Sequence, residues 1–150
     1  TYRFSDEFTA AIDIYRTEWD DFVLRDYTGR ETSPVTGKPA SESEIDPTHQ
    51  VRIGAEYLIS REGKRPLFWK IHEIPIRWGV FYDPAPAEGS PDDFFGLSFG
   101  SGFVITERFS FDMAYQYRFG RDVGSSILKN REFSQDIDEH TVYSSLIIYF

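Results

Sequence analysis

Cysteine is absent from these 150 residues. No disulfide framework and no thiolate chemistry is therefore open to the chain. Positive charge is also scarce, with 16 Lys and Arg against 25 Asp and Glu and a net charge of −9. That balance argues against a nucleic-acid partner, because phosphate binding needs clustered Lys and Arg. No run approaches the roughly 18 consecutive apolar residues of a membrane helix, so a helical membrane protein is excluded. A membrane β-barrel is not, because half of its strand residues face the lumen and can be polar. The length suits one domain or part of one. Mean hydropathy is only −0.44, yet aromatic residues make up 17%, most of them Phe and Tyr.

What the chain has instead is alternation. Six segments show a period of two, the primary strand signal. In the first, about 8–19, Phe8, Ala10, Ile12 and Ile14 share one face, and Thr9, Ala11, Asp13 and Tyr15 the other. In the second, about 50–60, Val51, Ile53, Ala55, Tyr57 and Ile59 alternate with Gln50, Arg52, Gly54 and Glu56. The third, about 74–82, sets Ile74, Ile76, Trp78, Val80 and Tyr82 against Arg77, Gly79 and Phe81. The fourth sets Phe95, Leu97, Phe99 and Phe103 against Gly96, Ser98, Gly100 and Gly102. The fifth sets Phe111, Met113, Tyr115, Tyr117 and Phe119 against Asp112, Ala114, Gln116, Arg118 and Gly120. In the sixth, about 140–150, Val142, Ser144, Leu146, Ile148 and Phe150 fall together. A soluble sandwich alternates in the same way. Two details favour a membrane: the apolar stripes are long with aromatics near their ends, and the opposite stripes mix charges with Gly, Ser and Ala.

The connections alternate in length. Those at about 23–49, 83–93 and 121–139 are long and polar, whereas only a tight turn near Thr106, Glu107 and Arg108 separates the fourth and fifth strands. Long outer loops and short periplasmic turns are the barrel asymmetry. The segment 61–73 is long for such a turn, and is read as strand extension around Glu62, Gly63 and Lys64. The chain stops on Phe150 without a polar tail, which suits a terminal strand at a membrane interface. With Phe150 at the periplasmic rim, all three long loops face outside. Because the chain starts at Thr1 with no Met or leader, either a leader was removed or this is a piece of a longer chain. Six strands are fewer than the roughly eight of the smallest single-chain barrels, and an open sheet leaves unpaired edges that lipid does not tolerate. The expected fold is thus all-β: about six antiparallel strands of a larger transmembrane barrel.

On this reading Ile12, Ile53, Ile76, Leu97, Met113, Tyr115, Leu146, Ile148 and Phe150 face the membrane. Asp13, Arg52, Glu56, Arg77, Asp112, Gln116 and Arg118 line the lumen, either setting passage and anchoring a plug or forming a satisfied charge network. Trp19, Tyr57, Trp69, Trp78, Tyr82, Tyr117 and Tyr149 have the rings to stack on a ligand, but most read as interface anchors. Gly96, Gly100 and Gly102 lack the following helix that a phosphate loop needs, and read as room for a plug or a bend in the strand. His49 with Asp46, and His140 with Asp138 and Glu139, show no convincing metal spacing. Asp83, Glu88, Asp92 and Asp93 read as loop solubility rather than cation ligands. His140 and Ser144 share a face but stand about 13 Å apart, too far for a nucleophile and its base.

Tyr2 to Phe22, Val51 to Leu58, Ile74-Pro-Ile-Arg-Trp-Gly-Val-Phe-Tyr-Asp-Pro-Ala-Pro86 and the Gly-rich Phe95 to Phe103 resemble the late strands of FadL/TodX-type outer-membrane transporters of long-chain fatty acids and other hydrophobic compounds. The resemblance covers nearly the whole chain but consists of strand patterns. It implies a barrel of about 14 strands with an N-terminal hatch, of which this chain supplies the C-terminal part without the hatch. It implies passive uptake of a hydrophobic small molecule, no enzyme activity and no cofactor. The partners implied are that ligand, outer-membrane lipids with lipopolysaccharide, and the barrel-assembly machinery through the Phe150 strand. The location implied is the bacterial outer membrane. The rival reading is a soluble β-sandwich or lipocalin-like binding domain with its aromatic stripes turned inward. A third, an outer-membrane enzyme, would need a Ser/His constellation that the sequence does not display.

Overall fold

The computed structural model describes residues 1–60, 73–105, 109–124 and 134–148. In chain order the strands are β1 (Tyr2–Arg3), β2 (Phe8–Thr17), β3 (Leu24–Arg25), β4 (Glu31–Thr32), β5 (Thr48–Ser60), β6 (Glu73–Tyr82), β7 (Phe94–Ile105), β8 (Phe109–Val123) and β9 (Gln135–Ile148). A single turn of 3-10 helix covers Ala40–Glu42. The fold is all-β, and the main sheet is antiparallel in the order β1-β2-β5-β6-β7-β8-β9. The six long strands are the six alternating segments. The sheet is open: among the described residues β9 pairs only with β8, and β2 and β1 form the other edge. The predicted turn at Thr106 to Arg108 lies outside the described residues, although Ile105 pairs with Phe109 across it. The 61–72 segment, with Trp69, and the pair Tyr149 and Phe150 also lie outside them.

Register decides which stripes meet. Ile12, Ile53, Val80, Leu97, Tyr117 and His140 form one continuous row across the sheet. Asp13, Arg52, Phe81, Gly96, Arg118 and Glu139 form another on the opposite face. A slip of one residue in any pair would have mixed the two faces. Among the described residues nothing covers the apolar face: Ile12 is 55% exposed and Leu146 61%. Aromatic pairs stand toward both of its ends, with Tyr82 against Phe95 at 5.1 Å and Phe103 against Phe111 at 5.6 Å between ring centres.

The last two strands are longer than the alternation predicts. Arg121 and residues 135–139 read as loop because they are polar, yet β8 and β9 pair as far as Val123 and Gln135, past an irregularity between Gly120 and Val123. Cross-strand charge pairs carry this extension. Arg118 Nη1 donates to Glu139 at 2.9 Å, and Arg121 donates to both carboxylate oxygens of Asp138 at 3.1 Å. Opposite charges facing each other across a ladder stabilise it without any apolar stripe.

The buried apolar residues among those described are Ile45, Ala87, Phe94 and Val123, all at the end that carries the 18–47 and 83–93 connections. These connections pack on one another. Ile45 bridges to Glu88 and Gly89, the Gly89 amide donates to the Glu44 carbonyl at 2.8 Å, and Lys38 pairs with Glu88. The acids read as loop solubility are therefore stapled. Asp92 accepts from the Gly124 amide at 3.1 Å, Asp93 accepts from the Tyr82 hydroxyl at 2.5 Å, and Asp83 faces Arg118 at 3.6 Å. In the outlying β3–β4 hairpin, the Thr28 hydroxyl and the Arg30 amide hold the Asp26 carboxyl below its usual range.

Trp19 anchors the start of the first connection. Its indole N–H donates to Thr48 Oγ1 at 2.8 Å, and Thr48 is only 1% exposed. Thr48→Val keeps the shape but removes the acceptor. The expected cost is about 1 kcal/mol, read as a lower denaturant midpoint at unchanged slope.

Candidate functional site

The polar face curls around a hollow of about 690 Å³. All six long strands reach it, from Ala11 and Asp13 on β2 to Tyr143 and Ser145 on β9. Laid flat, six strands at about 4.8 Å spacing would span about 24 Å, so one hollow touching both β2 and β9 requires strong curvature. Small residues form much of its wall, including Ala11, Gly54, Gly79, Gly100 and Ala114.

Of the residues expected on this face, Asp13, Arg52, Arg77, Asp112 and Gln116 line the hollow together. Glu56 joins through Arg77, whose Nε donates to Glu56 Oε2 at 2.6 Å and whose Nη1 donates to Asp112 Oδ1 at 2.7 Å. This bridge runs from β5 through β6 to β8, passing over β7. It can do so because β7 presents Gly100 and Gly102 there, the register partners of Ala114 and Asp112. Arg118 sits apart, at the loop-bearing end. Glu56, Arg77 and Asp112 form one paired set and Arg118 with Asp83 and Glu139 another, whereas Asp13 and Arg52 face each other in register without an ion pair among the described residues. Half-exposed pairs of this kind contribute little stability, about 0–1 kcal/mol each.

The space beside Gly96 and Gly102 is already taken, whereas Gly100 borders the hollow. A Cβ at Gly96 would lie 2.0 Å from Phe81 Cζ, and one at Gly102 would lie 2.4 Å from Asp112 Oδ1. Side chains of the adjoining strands already fill that space. Phe81 was legible as a residue of this face, but its lodging over Gly96 was not.

On the apolar face the structure adds two residues that the sequence reading left as loop or strand end. Asp138 and His140 follow the same parity as Val142, so extending the alternation backward would have found them. The His140 ring lies 4.9 Å from Tyr117 and 6.1 Å from Tyr115, nearly parallel to both. Its Nδ1 is hydrogen bonded to the Tyr115 hydroxyl at 2.7 Å, and the Tyr117 hydroxyl donates to Asp138 at 2.5 Å. His140 is thus engaged by tyrosine rather than by a serine or a metal set. No group of three or more acidic or histidine side chains placed to hold a metal ion forms among the described residues.

Charge on the apolar face is confined to one end. Arg16, His49, Arg121, Asp138 and His140 share its parity, and all lie near the long connections. Below them, the outward residues described on β2, β5, β6, β7, β8 and β9 carry no charge. Comparison with protein families, curated proteins and solved structures finds no match to this chain.

Proposed function

We propose that this chain is a wall segment of an outer-membrane β-barrel that passes hydrophobic small molecules without chemistry. The observation that carries the reading is an uncovered apolar face, charged only at its loop-bearing end and backed by a hollow, charged one. In water such a face would need a second layer, because soluble monomers rarely expose large contiguous apolar patches. In a bilayer the acyl chains cover it. The stripe from Phe109 to Phe119 on β8 is about 33 Å long at ~3.3 Å per residue. Tilted by about 40°, it stands about 25 Å tall, the height of a barrel's apolar band. The charges then fall at headgroup level, with Tyr117 as an amphipathic anchor.

Six strands leave two open edges, and lipid does not solvate free backbone. β2 runs toward the long connections and β9 away from them, so further antiparallel strands between these edges would close the wall. The resemblance to FadL/TodX-type transporters supplies the class of solute, long-chain fatty acids or similar compounds, and the outer-membrane location. The lipocalin-like alternative requires the apolar stripes to be covered by protein, and no described residue covers them.

Spin labels in lipid vesicles test the reading. Labels at Leu97, Tyr115 and Leu146 are expected to collide with oxygen dissolved in the acyl region, and labels at Asp112 and Gln116 with a water-soluble relaxant. Oxygen contact missing at the three outer sites would sink the membrane assignment. A folded, monodisperse sample without detergent would favour the soluble alternative.

A further inference from the structure

Phe94 begins β7 on the concave face at the loop-bearing end, and is 3% exposed. Its register partner is Gly120, where an added Cβ would stand 2.8 Å from Phe94 Cε1. The Arg118 guanidinium lies 3.6 Å above the Phe94 ring centre. The same group donates to Glu139 at 2.9 Å and to the Asp83 carbonyl at 3.4 Å, and its Nε faces the Asp83 carboxylate at 3.6 Å. Its side chain is 19% exposed, against 46% for Arg77. Burial of this kind, with stacking on an aromatic face, makes a charged contact count for more than at the surface.

Asp83 is the first residue after β6 and also lines the hollow. The far end of its connection is held by Asp92 on the Gly124 amide and by Asp93 on the Tyr82 hydroxyl. The near end is held by the Asp83 amide on the Phe94 carbonyl at 2.9 Å, by the two backbone bonds between Ala85 and Asp92 at 2.9 Å, and by Arg118. Arg118 thus ties β8 and β9 to Asp83, the residue of this connection that lines the hollow, beside the Asp92 contact to the Gly124 amide that follows β8.

We propose that Arg118 is a positioning residue that holds the 83–93 segment across the loop-bearing mouth, and so limits how fast a solute is admitted from that end. Admission rests on the proposed passage function, whereas the latch rests on the geometry alone. Arg118→Lys keeps the charge but loses the planar fork that serves Asp83 and Glu139 together.

Two measurements on the closed barrel of which this chain is a wall segment, in phosphatidylcholine–phosphatidylglycerol vesicles, test this: amide exchange of residues 83–93, and uptake of a fluorescent medium-chain fatty acid. Arg118→Ala is expected to speed exchange of these amides about tenfold, as loss of a charged hydrogen bond would, and to speed uptake. Arg118→Lys should fall between Arg118→Ala and the parent. Glu139→Gln should leave the 83–93 amides unchanged, which separates the latch from general loosening of β8 and β9. Should Arg118→Ala fail to fold, Asp83→Asn removes the carboxylate that faces Arg118 while leaving the carbonyl bond, and should speed the same amides by a smaller factor. Unchanged exchange overturns the latch, and faster exchange with unchanged uptake overturns its role in admission. A parent chain that passes no probe sinks the passage function, and with it admission, while exchange still judges the latch.

Discussion

Met113→Arg is expected to weaken folding into lipid by about 2–4 kcal/mol if the site lies near the bilayer midplane. Met113 is 54% exposed, and its neighbours in register are Ser101 and Ser144. Neither can neutralise a guanidinium, and no charged residue of the same face lies nearby along β8. In water the substitution would be mild, because an exposed Arg on a strand is well solvated and surface changes usually stay within about 0.5 kcal/mol. The large cost arises only if hydrocarbon lies against the side chain. Ile76→Arg should behave alike, for the same reason. Asp112→Asn, one residue along on the opposite face, is the control. The amide oxygen can still accept from Arg77, and the half-exposed pair is worth about 0–1 kcal/mol. Reversible denaturant unfolding from vesicles gives all three values. Equal costs on the two faces would contradict the assignment of one face to lipid.

Gly102→Ala is the second large effect, with an expected loss of about 1–3 kcal/mol from overpacking. The added methyl would lie 2.4 Å from Asp112 Oδ1 and 2.6 Å from the Phe111 carbonyl oxygen. The carboxylate can rotate away, which breaks its bond to Arg77. The carbonyl belongs to the partner strand and cannot move without parting β7 from β8. Gly54→Ala is the matched control, since its nearest neighbour is the Trp78 carbonyl oxygen at 3.6 Å, an ordinary contact. That variant should be neutral or gain up to about 1 kcal/mol, because Ala loses less freedom than Gly on entering a strand. Chemical denaturation of the two variants side by side checks the difference. Equal stabilities would mean that β7 and β8 are not in close approach at this point.

Much of the fold could be read from residue order. Alternation located all six long strands and separated Ile12, Ile53, Met113 and Leu146 from Asp13, Arg52, Asp112 and Gln116, because a pleated strand sends neighbouring side chains to opposite sides. Where alternation gives way to polar residues, the reading stopped early. Residues 135–139 look like loop, since a strand built on Arg118–Glu139 and Arg121–Asp138 pairs shows no apolar stripe. The pairing of the two long connections left no trace either. Ile45 is an ordinary loop residue until Glu88 and Gly89 are brought to it across the end of the sheet.

The candidate site divides in the same way. Which residues stand on the concave face was legible. Which of them meet was not: Arg77 reaches Asp112 from two strands away only because β7 offers glycine between them.

Residue order by itself determined the strands and the sorting of their faces, since side-chain direction along an extended chain repeats every second residue whatever surrounds it. Tertiary structure alone decided the curl of the sheet, the lodging of Phe81 over Gly96, and the convergence of Asp83, Phe94 and Glu139 on Arg118. These depend on register and curvature between segments far apart in the chain, and local periodicity carries no record of either.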